Sequence, residues 1–112
     1  MRIPENSYLV RVFVGESNKH GHVPLYEAIV LKARESGLAV ATVLRGVMGF
    51  GRHSVMHTAK ILRLSEDLPM IVEIVDSLEK VEAFLPILDA MASEALVTLE
   101  KVRVMHSPFP EG

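Results

Sequence analysis

Hydrophobic and polar positions follow the pattern of β-strands in four stretches of the chain. Tyr8–Val14 is rich in β-branched and aromatic residues and is closed by Gly15. Leu38–Phe50 is a long apolar run that is too β-branched and too often interrupted by glycine for a good helix. Met70–Val75 is another β-branched run, and apolar and polar residues alternate along Leu96–Val104. The pattern therefore predicts four strands, of which the second is the longest.

Two further segments carry apolar residues at the spacing of an amphipathic helix. The first follows Pro24, whose missing N–H costs nothing in a first helical turn, and Gly37 suits the position just after its end. Either Asp76 or Ser77 can cap the second, in which Pro86 is expected to kink the helix or end its regular part early. The apolar positions are Leu25, Ala28, Ile29 and Ala33 in the first helix, and Val81, Phe84, Leu85, Leu88 and Met91 in the second.

The elements follow one another in the order β-α-β-β-α-β. This order predicts an α+β fold of the ferredoxin-like type, in which a four-stranded antiparallel sheet carries two helices on one face. We expect Lys19–His22 to form a loop. Gly51–Leu68 is predicted to be a long connection, in which Ala59–Leu64 is a candidate short strand.

Strand alternation places rows of residues on one face of the sheet that mix large apolar side chains with single charges. The rows are Leu9, Arg11 and Phe13, then Val43, Arg45 and Val47, then Ile71, Glu73 and Val75. A solvent-facing sheet would be more uniformly polar, so the mixture favours an interface between copies of the chain, with a plain solvated face as the alternative. Arg45 then either faces a ligand cleft or forms an interface ion pair, for which Glu73 is one candidate partner.

Composition limits the domain organisation and the class of partner. Apolar residues make up 49 % and charged residues 23 % of the 112 residues, which is ordinary for one globular domain. We expect a single domain over residues 1–112, with its core over about 8–105 and a tail over 106–112. The net charge of −2 argues against nucleic-acid binding, which usually requires a basic balance or stripe.

Several chemistries are missing from the sequence. The chain has no cysteine, which excludes disulfides, zinc–thiolate sites and thiol nucleophiles. No Gly-x-Ser-x-Gly, Walker or paired-carboxylate motif occurs, so an enzyme is not expected. No secretory h-region follows Met1, and no apolar run approaches the roughly 20 residues that span a bilayer. We therefore expect a cytoplasmic protein that does not insert directly into a membrane.

An acid-free window gives the strongest indication of function. No Asp or Glu occurs from Gly37 through Ser65, although the chain has 14 acidic residues among 112. The basic residues of the window are Arg45, Arg52, Lys60 and Arg63, together with His53 and His57. Glycines let a backbone approach a ligand closely, and nearby cations favour an anion. Gly49–His53 therefore predicts a site for a phosphate-bearing small molecule.

The candidate binding residues lie in this window and on the last strand. They are Arg45, Gly49, Phe50, Gly51, Arg52, His53, Lys101 and Arg103. Gly49 and Gly51 have a second interpretation, as markers of a strand end or bulge. Lys101 and Arg103 share one face of the last strand, where they either reach a neighbour's ligand or belong to a solvated surface or an interface.

Two segments of the chain resemble PII signalling proteins. Gly49–His53, followed by His57-Thr58, resembles the base of the flexible T-loop of PII, and Leu68–Val75 resembles the strand after that loop. The whole chain is more similar to an uncharacterised PII-like family, a domain of unknown function found in bacteria and archaea. The segments that carry this likeness are Val14–Ser17, Pro24–Ile29, Ala41–Gly46, Gly49–Gly51, Ile61–Pro69 and Val97–Val102, within about Leu9–Val104.

The resemblance implies a PII-like regulatory protein with a ferredoxin-like fold, assembled as a homotrimer. It implies an adenine-nucleotide site for AMP, ADP or ATP in the clefts between subunits, and no required cofactor. The Gly51–Leu68 loop would respond to the nucleotide and act on a protein partner, by analogy with PII a membrane transporter. One departure concerns the phosphates: PII proteins have a glycine-rich phosphate loop before the last strand, whereas Met91–Leu96 here contains no glycine or lysine.

CutA-type proteins, linked to divalent-metal tolerance, share this fold, so fold alone does not determine function. The alternative function is therefore a CutA-like trimer that binds a divalent metal through its loop histidines. His20-x-His22 and His53-x-x-x-His57 both have spacings that a metal can use. A four-residue gap means little without an assured helix, and no metal site is predicted.

Overall fold

The computed structural model of the chain describes residues 3–50, 57–58 and 67–109. Its strands are β1 (Asn6–Gly15), β2 (Lys19–His20), β3 (Val23–Pro24), β4 (Val40–Arg45), β5 (Met48–Gly49), β6 (His57–Thr58), β7 (Pro69–Asp76) and β8 (Leu96–Arg103). Its helices are α1 (Leu25–Glu35) and α2 (Leu78–Met91). Among the residues described, no helix is both long and apolar enough to cross a membrane.

Four strands form one antiparallel sheet in the order β4-β7-β1-β8. β1 is an interior strand and pairs along its length with β7 on one side and with β8 on the other. β4 pairs with β7 at the opposite edge. This arrangement confirms the predicted ferredoxin-like α+β fold, in which strands that neighbour each other in the sheet are distant in the sequence.

The two helices cover one face of the sheet and enclose the core. α1 contacts β4 and β7, whereas α2 contacts β1 and β7. Val12 and Val72 are fully buried on this face, where they join Ile29 of α1 and Phe84 of α2 in one hydrophobic cluster. Because the helices lie over the other three strands, β8 is exposed along nearly all of its length.

Asp76, the last residue of β7, is bonded to the segment before β4 and to the segment before α2. Its buried carboxylate accepts hydrogen bonds from the N–H groups of Ala39 at 2.9 Å and Ser77 at 2.6 Å. Ser77 occupies the N-cap position of α2 and accepts a hydrogen bond from the Lys80 N–H at 3.2 Å. Both residues considered as caps from the sequence therefore satisfy backbone donors at this corner, and Ser77 is the cap itself.

Pro86 lies inside α2 without ending it. The helix continues to Met91, so the expectation that its regular part ends early is wrong. A proline removes one backbone donor and crowds the carbonyl four residues before it. Phe84 and Leu88, on either side of Pro86, are buried in the core. Their burial offsets the lost hydrogen bond and keeps the last turns helical.

Other predicted segments also differ in the structure. Leu38–Phe50 is not one strand. β4 pairs with β7 as far as Arg45, which is level with Met70, and β7 begins only one residue before Met70, at Pro69, so the ladder ends there. β5 pairs instead with β6 in a separate two-stranded ladder. Lys19–His22, predicted to be a loop, contributes β2 to a short hairpin with β3. The candidate strand Ala59–Leu64 lies outside the described residues.

The face of the sheet opposite the helices, here called the open face, has a charged centre. Arg11 Nε donates to Glu73 Oε2 at 2.8 Å, and Arg11 Nη1 donates to Glu100 Oε1. The hydrogen bond to Glu73 raises the pKa of Arg11 above its ordinary value, and the contact with Glu100 also raises it, against an opposing effect of desolvation. The apolar residues of the open face include Leu9, Phe13, Val40, Leu44, Ile71, Val75, Leu96 and Val102.

The sequence assigned one of the three rows to the wrong face. Val43 packs against the hydrophobic core, and Arg45 is level with the buried Met70, so these residues lie on the helix-covered side. The open face of β4 consists instead of Val40, Thr42 and Leu44. Alternation fixes which residues of a strand share a face, but contact with the helices decides which face that is.

Candidate functional site

The ends of β1 and β4 lie beside the start of β7, the strand that follows the Gly51–Leu68 connection. The region is called the loop base: residues 15–18 after β1, residues 45–46 at the end of β4, and residues 67–69 at the start of β7. Gly46 N–H donates to Pro69 O at 2.7 Å, and Glu16 N–H donates to Leu68 O at 2.8 Å. The first bond joins the end of β4 to the start of β7, and the second joins the turn after β1 to the residue before β7.

Side chains reinforce the loop base around Gly15. Ser17 N–H donates to Asp67 Oδ1 at 2.7 Å, and Gly15 N–H donates to Asn18 Oδ1 at 2.7 Å. A Cβ on Gly15 would lie 2.6 Å from Asn18 Oδ1 and 2.8 Å from Asp67 Oδ1, which is closer than real Cβ contacts come. Glycine at this position therefore permits the turn to pack against the end of the connection, as well as closing the strand.

Arg45 is paired within its own chain. Its Nη2 lies 2.7 Å from Oε2 of Glu16, a residue that is not among the candidates predicted from the sequence. Within this chain Arg45 does not meet Glu73, because Arg45 is level with Met70 and Glu73 lies on the open face, bonded to Arg11. An ion pair with Glu73 of another copy stays a prediction. The signal for Glu16 is the strand register: Gly15 is level with Pro69 and Arg45 with Met70, which brings Glu16 beside Arg45.

Gly46 of the loop base and Gly49 of β5 are packed against a proline ring. A Cβ on Gly46 would lie 2.7 Å from Pro69 Cγ, and a Cβ on Gly49 would lie 3.1 Å from the same atom. Close packing against Pro69 therefore accounts for the absence of a side chain at Gly46, and at Gly49 it leaves little room for one. The approach of a ligand to Gly49 stays a prediction.

We expect Gly46→Ala to lower the free energy of unfolding by about 1–3 kcal/mol, because the added methyl overlaps a ring that cannot rotate away. Gly49→Ala is the matched control, and its effect should be smaller because its Cβ meets the ring at 3.1 Å rather than 2.7 Å. Urea unfolding of both variants measures the difference. Equal stability of Gly46→Ala and the wild type would contradict the packing explanation.

Of the remaining candidates in the window, the structure describes Phe50. Phe50 follows β5 and is 71 % exposed. Gly51, Arg52 and His53 lie outside the described residues, so their part in the site stays a prediction. The exposed ring of Phe50 is available for contact with a ligand or with another protein chain.

Lys101 and Arg103 lie at the far corner of the sheet from Arg45. Arg45 is level with Val14 of β1, whereas Arg103 is level with Asn6. Three strand spacings and about eight residues of strand length separate the two guanidinium-bearing positions, which is about 30 Å. Arg103 Nε also pairs with Glu5 Oε2 at 2.6 Å. One chain therefore does not bring the candidate cations together.

Metal-binding chemistry has little support among the side chains described. Within residues 3–50 and 67–109, no group of three or more His, Asp or Glu side chains is placed to hold an ion. His20 and His22 lie in the exposed β2–β3 hairpin. The side chains of His53 and His57 lie outside this description, so the histidine pair of the loop stays untested.

The family of the chain is shown by its sequence. Residues 7–104 match the profile of DUF190, described as "Uncharacterized ACR". The chain belongs to the DUF190 family. A UPF0166 protein of Aquifex aeolicus (strain VF5) is 35 % identical over 98 residues, which cover 88 % of this chain and 92 % of that protein. The UPF0166 protein MJ1524 of Methanocaldococcus jannaschii is 32 % identical over 78 residues, covering 70 % of this chain and 71 % of the relative.

Solved structures similar to this DUF190 protein are PII-like. CPII of Thiomonas intermedia K12, a nitrogen regulatory PII-like protein, has a TM-score of 0.65 in its complex with ADP and bicarbonate, with 14 % identity and 90 % of each chain covered. The GlnK–ATP complex of B. subtilis has a TM-score of 0.52 and 9 % identity, covering 89 % of this chain and 84 % of that chain. The DUF190 protein therefore has the PII-like, ferredoxin-like fold.

Proposed function

We propose that this DUF190 protein is a PII-like regulatory protein that binds an adenine nucleotide, AMP, ADP or ATP, between the subunits of a homotrimer. The distance between the candidate cations within one chain is the observation that supports a site between subunits. Arg45 and Arg103 lie on the same side of the sheet but about 30 Å apart, too far for one nucleotide to contact both in one chain. A second copy that places its β8 end against the loop base of the first brings the two cations together.

Two PII-like structures support the choice of ligand. CPII has been solved with ADP, AMP and bicarbonate bound, and GlnK with ATP. At identities of 16 % and 9 %, these structures show the fold of this chain but not its binding site. The residues that would recognise the nucleotide must therefore be argued from this chain. The candidates are the cations Arg45, Lys101 and Arg103, with Gly51, Arg52 and His53 as predicted contacts on the loop.

The open face supports a homotrimer formed through the sheets. Its apolar residues include Leu44, which is 45 % exposed, and Leu96, which is 62 % exposed. An apolar sheet face with a charged centre fits an interface better than a solvated surface. Arg11 holds Glu73 and Glu100 in fixed positions at that centre, so a facing copy meets a defined arrangement of charge.

The connection between α2 and β8 limits the phosphates that fit. In place of a glycine-rich phosphate loop, residues 92–95 form a tight turn in which Ala95 N–H donates to Ala92 O at 3.0 Å. This turn offers no lysine and no glycine. Phosphate recognition then depends on the cations of the loop base and of the neighbour's β8, and a mono- or diphosphate is the expected ligand.

The regulatory part of the proposal concerns the Gly51–Leu68 loop. A nucleotide changes a loop only by binding one arrangement better than another, and the loop base is fixed enough to transmit such a preference. The loop would act on a protein partner, which the likeness to PII suggests is a membrane transporter. We propose this binding role, without catalysis, for a protein of the cytoplasm.

Calorimetry with AMP, ADP and ATP tests nucleotide binding, and subunit mixing tests the shared site. Arg45→Ala and Lys101→Ala should each bind ADP more weakly than the wild type. When the two variants are unfolded together and refolded as a 1:1 mixture, about a quarter of the clefts combine an intact Arg45 with a neighbour's intact Lys101. That fraction of tight ADP sites should return.

The mixture separates a shared site from a site within one chain, since no single chain in it carries both cations. The control is each variant refolded alone, which should stay weak. Recovery in the mixture would support the cleft between subunits. Wild-type affinity in both variants would remove the two cations from the site, and no heat with any nucleotide would overturn the nucleotide proposal.

A further inference from the structure

The Glu16–Arg45 ion pair places a carboxylate next to the acid-free segment of residues 37–65. Residues 37–65 have no Asp or Glu, yet Arg45 Nη2 lies 2.7 Å from Glu16 Oε2. The carboxylate comes from the turn after β1, outside the segment. Arg45 is 55 % exposed and Glu16 25 % exposed, so the pair is open to solvent on the side of the arginine.

Backbone bonds hold Glu16 in place independently of its side chain. Glu16 N–H donates to Leu68 O at 2.8 Å, and the neighbouring Ser17 N–H donates to Asp67 Oδ1 at 2.7 Å. On the other side, Asn18 N–H donates to Gly15 O at 3.2 Å. The carboxylate of Glu16 is therefore presented to Arg45 by a rigid turn, and a neutral side chain of the same shape can replace it without loss of these bonds.

We propose that Glu16 is a built-in competitor for the anion-binding position on Arg45, and that a phosphate group binds there by displacing its carboxylate. This inference rests on the proposed function for the identity of the ligand. Glu16 occupies the Nη2 edge of the guanidinium, and a phosphate that takes the same edge must displace the carboxylate, since the two anions repel each other at that distance. Glu16 thus lowers the affinity for any anion and favours one dense in charge, such as a diphosphate, over a single carboxylate.

The exchange also links the site to the long loop. The residue whose carboxylate is displaced is the one whose N–H bonds to Leu68 O at the returning end of the connection. When a phosphate replaces the carboxylate on Arg45, the Glu16 side chain must turn away while its backbone stays tied to that end. The exchange on Arg45 therefore takes place at the residue whose backbone is bonded to the returning end of the connection.

ADP titration of Glu16→Gln against wild type is the first measurement. The variant should bind ADP about two- to fivefold more tightly, a modest factor because the pair is partly exposed. The control is Glu35→Gln, which removes one carboxylate from an exposed pair with Lys32 in the helical layer and should bind like the wild type. Equal or weaker binding by Glu16→Gln than by both comparison proteins would overturn the inference.

Chemical modification of Arg45 gives a second measurement that needs no nucleotide. Phenylglyoxal reacts with accessible guanidinium groups, so peptide mass spectrometry should show faster modification of Arg45 in Glu16→Gln than in wild type or Glu35→Gln. Pyrophosphate should suppress the reaction in the variant. Equal rates in the three proteins, or no protection by pyrophosphate, would overturn the inference. If ADP binds none of the proteins while both effects appear, the proposed nucleotide function fails and the competitor role of Glu16 stands.

Discussion

We expect Leu44→Asp to sediment as a single 12.4 kDa chain, whereas the wild type sediments as a homotrimer. Leu44 is 45 % exposed on the open face and is level with Ile71, which is level in turn with Phe13. In the trimer this apolar row would be covered by a neighbouring sheet, so an aspartate there would lose its water without gaining a partner. Such a buried, unpaired charge costs several kcal/mol per subunit, enough to separate the chains.

Leu31→Asp is the matched control for this experiment. Leu31 is 55 % exposed on α1, in the layer on the other side of the sheet. The same substitution there should leave the sedimenting mass at that of the trimer. A wild type that sediments at 12.4 kDa would contradict the homotrimer. A Leu44→Asp variant that stays trimeric would show that the open face is not the interface.

Phe84→Ala should cause the largest loss of stability of any single truncation in the helical layer. Phe84 is 2 % exposed and is the largest of the fully buried side chains, at the centre of the cluster formed by the helices and β1 and β7. Removing the ring takes away its burial and leaves a cavity that the packed strands cannot close. We expect the free energy of unfolding to fall by about 3–5 kcal/mol.

Urea unfolding at one fixed protein concentration measures this effect, because an oligomer's apparent stability depends on concentration. The control is Ile87→Ala on the same helix, where the side chain is 38 % exposed and already meets water. Its loss should stay within about 1 kcal/mol. A Phe84→Ala variant as stable as Ile87→Ala would mean that α2 is not packed on the sheet as described.

The fold could be predicted from the spacing of apolar residues within each segment. Helical spacing of apolar residues predicted both α1 and α2, since an amphipathic helix needs one apolar stripe wherever it packs. Pro86 misled the sequence interpretation because its local penalty was judged without the burial of Phe84 and Leu88. The division of Leu38–Phe50 was also missed. A strand ends where its partner ends, and the start of β7 at Pro69 decides this from a distant part of the chain.

The candidate site was harder to predict than the fold. The glycines and cations of residues 45–53 drew attention to the loop base, and Arg45 does lie there. The sequence could not show that Glu16 is its partner, because ion pairs between strands depend on register. It assigned Arg45 and Arg103 to a site between neighbouring subunits, and only the topology shows that about 30 Å separates them within one chain.

The sequence by itself determined the family, the order of the two helices and the four strands of the main sheet, and the apolar stripes by which the helices pack. These follow from spacing and composition, which each segment carries on its own. Only the tertiary structure decided which face of the sheet stays open, which carboxylate meets Arg45 and which glycines pack against Pro69. Those contacts join segments that are far apart in the chain, and their geometry is fixed by strand register, which no local pattern contains.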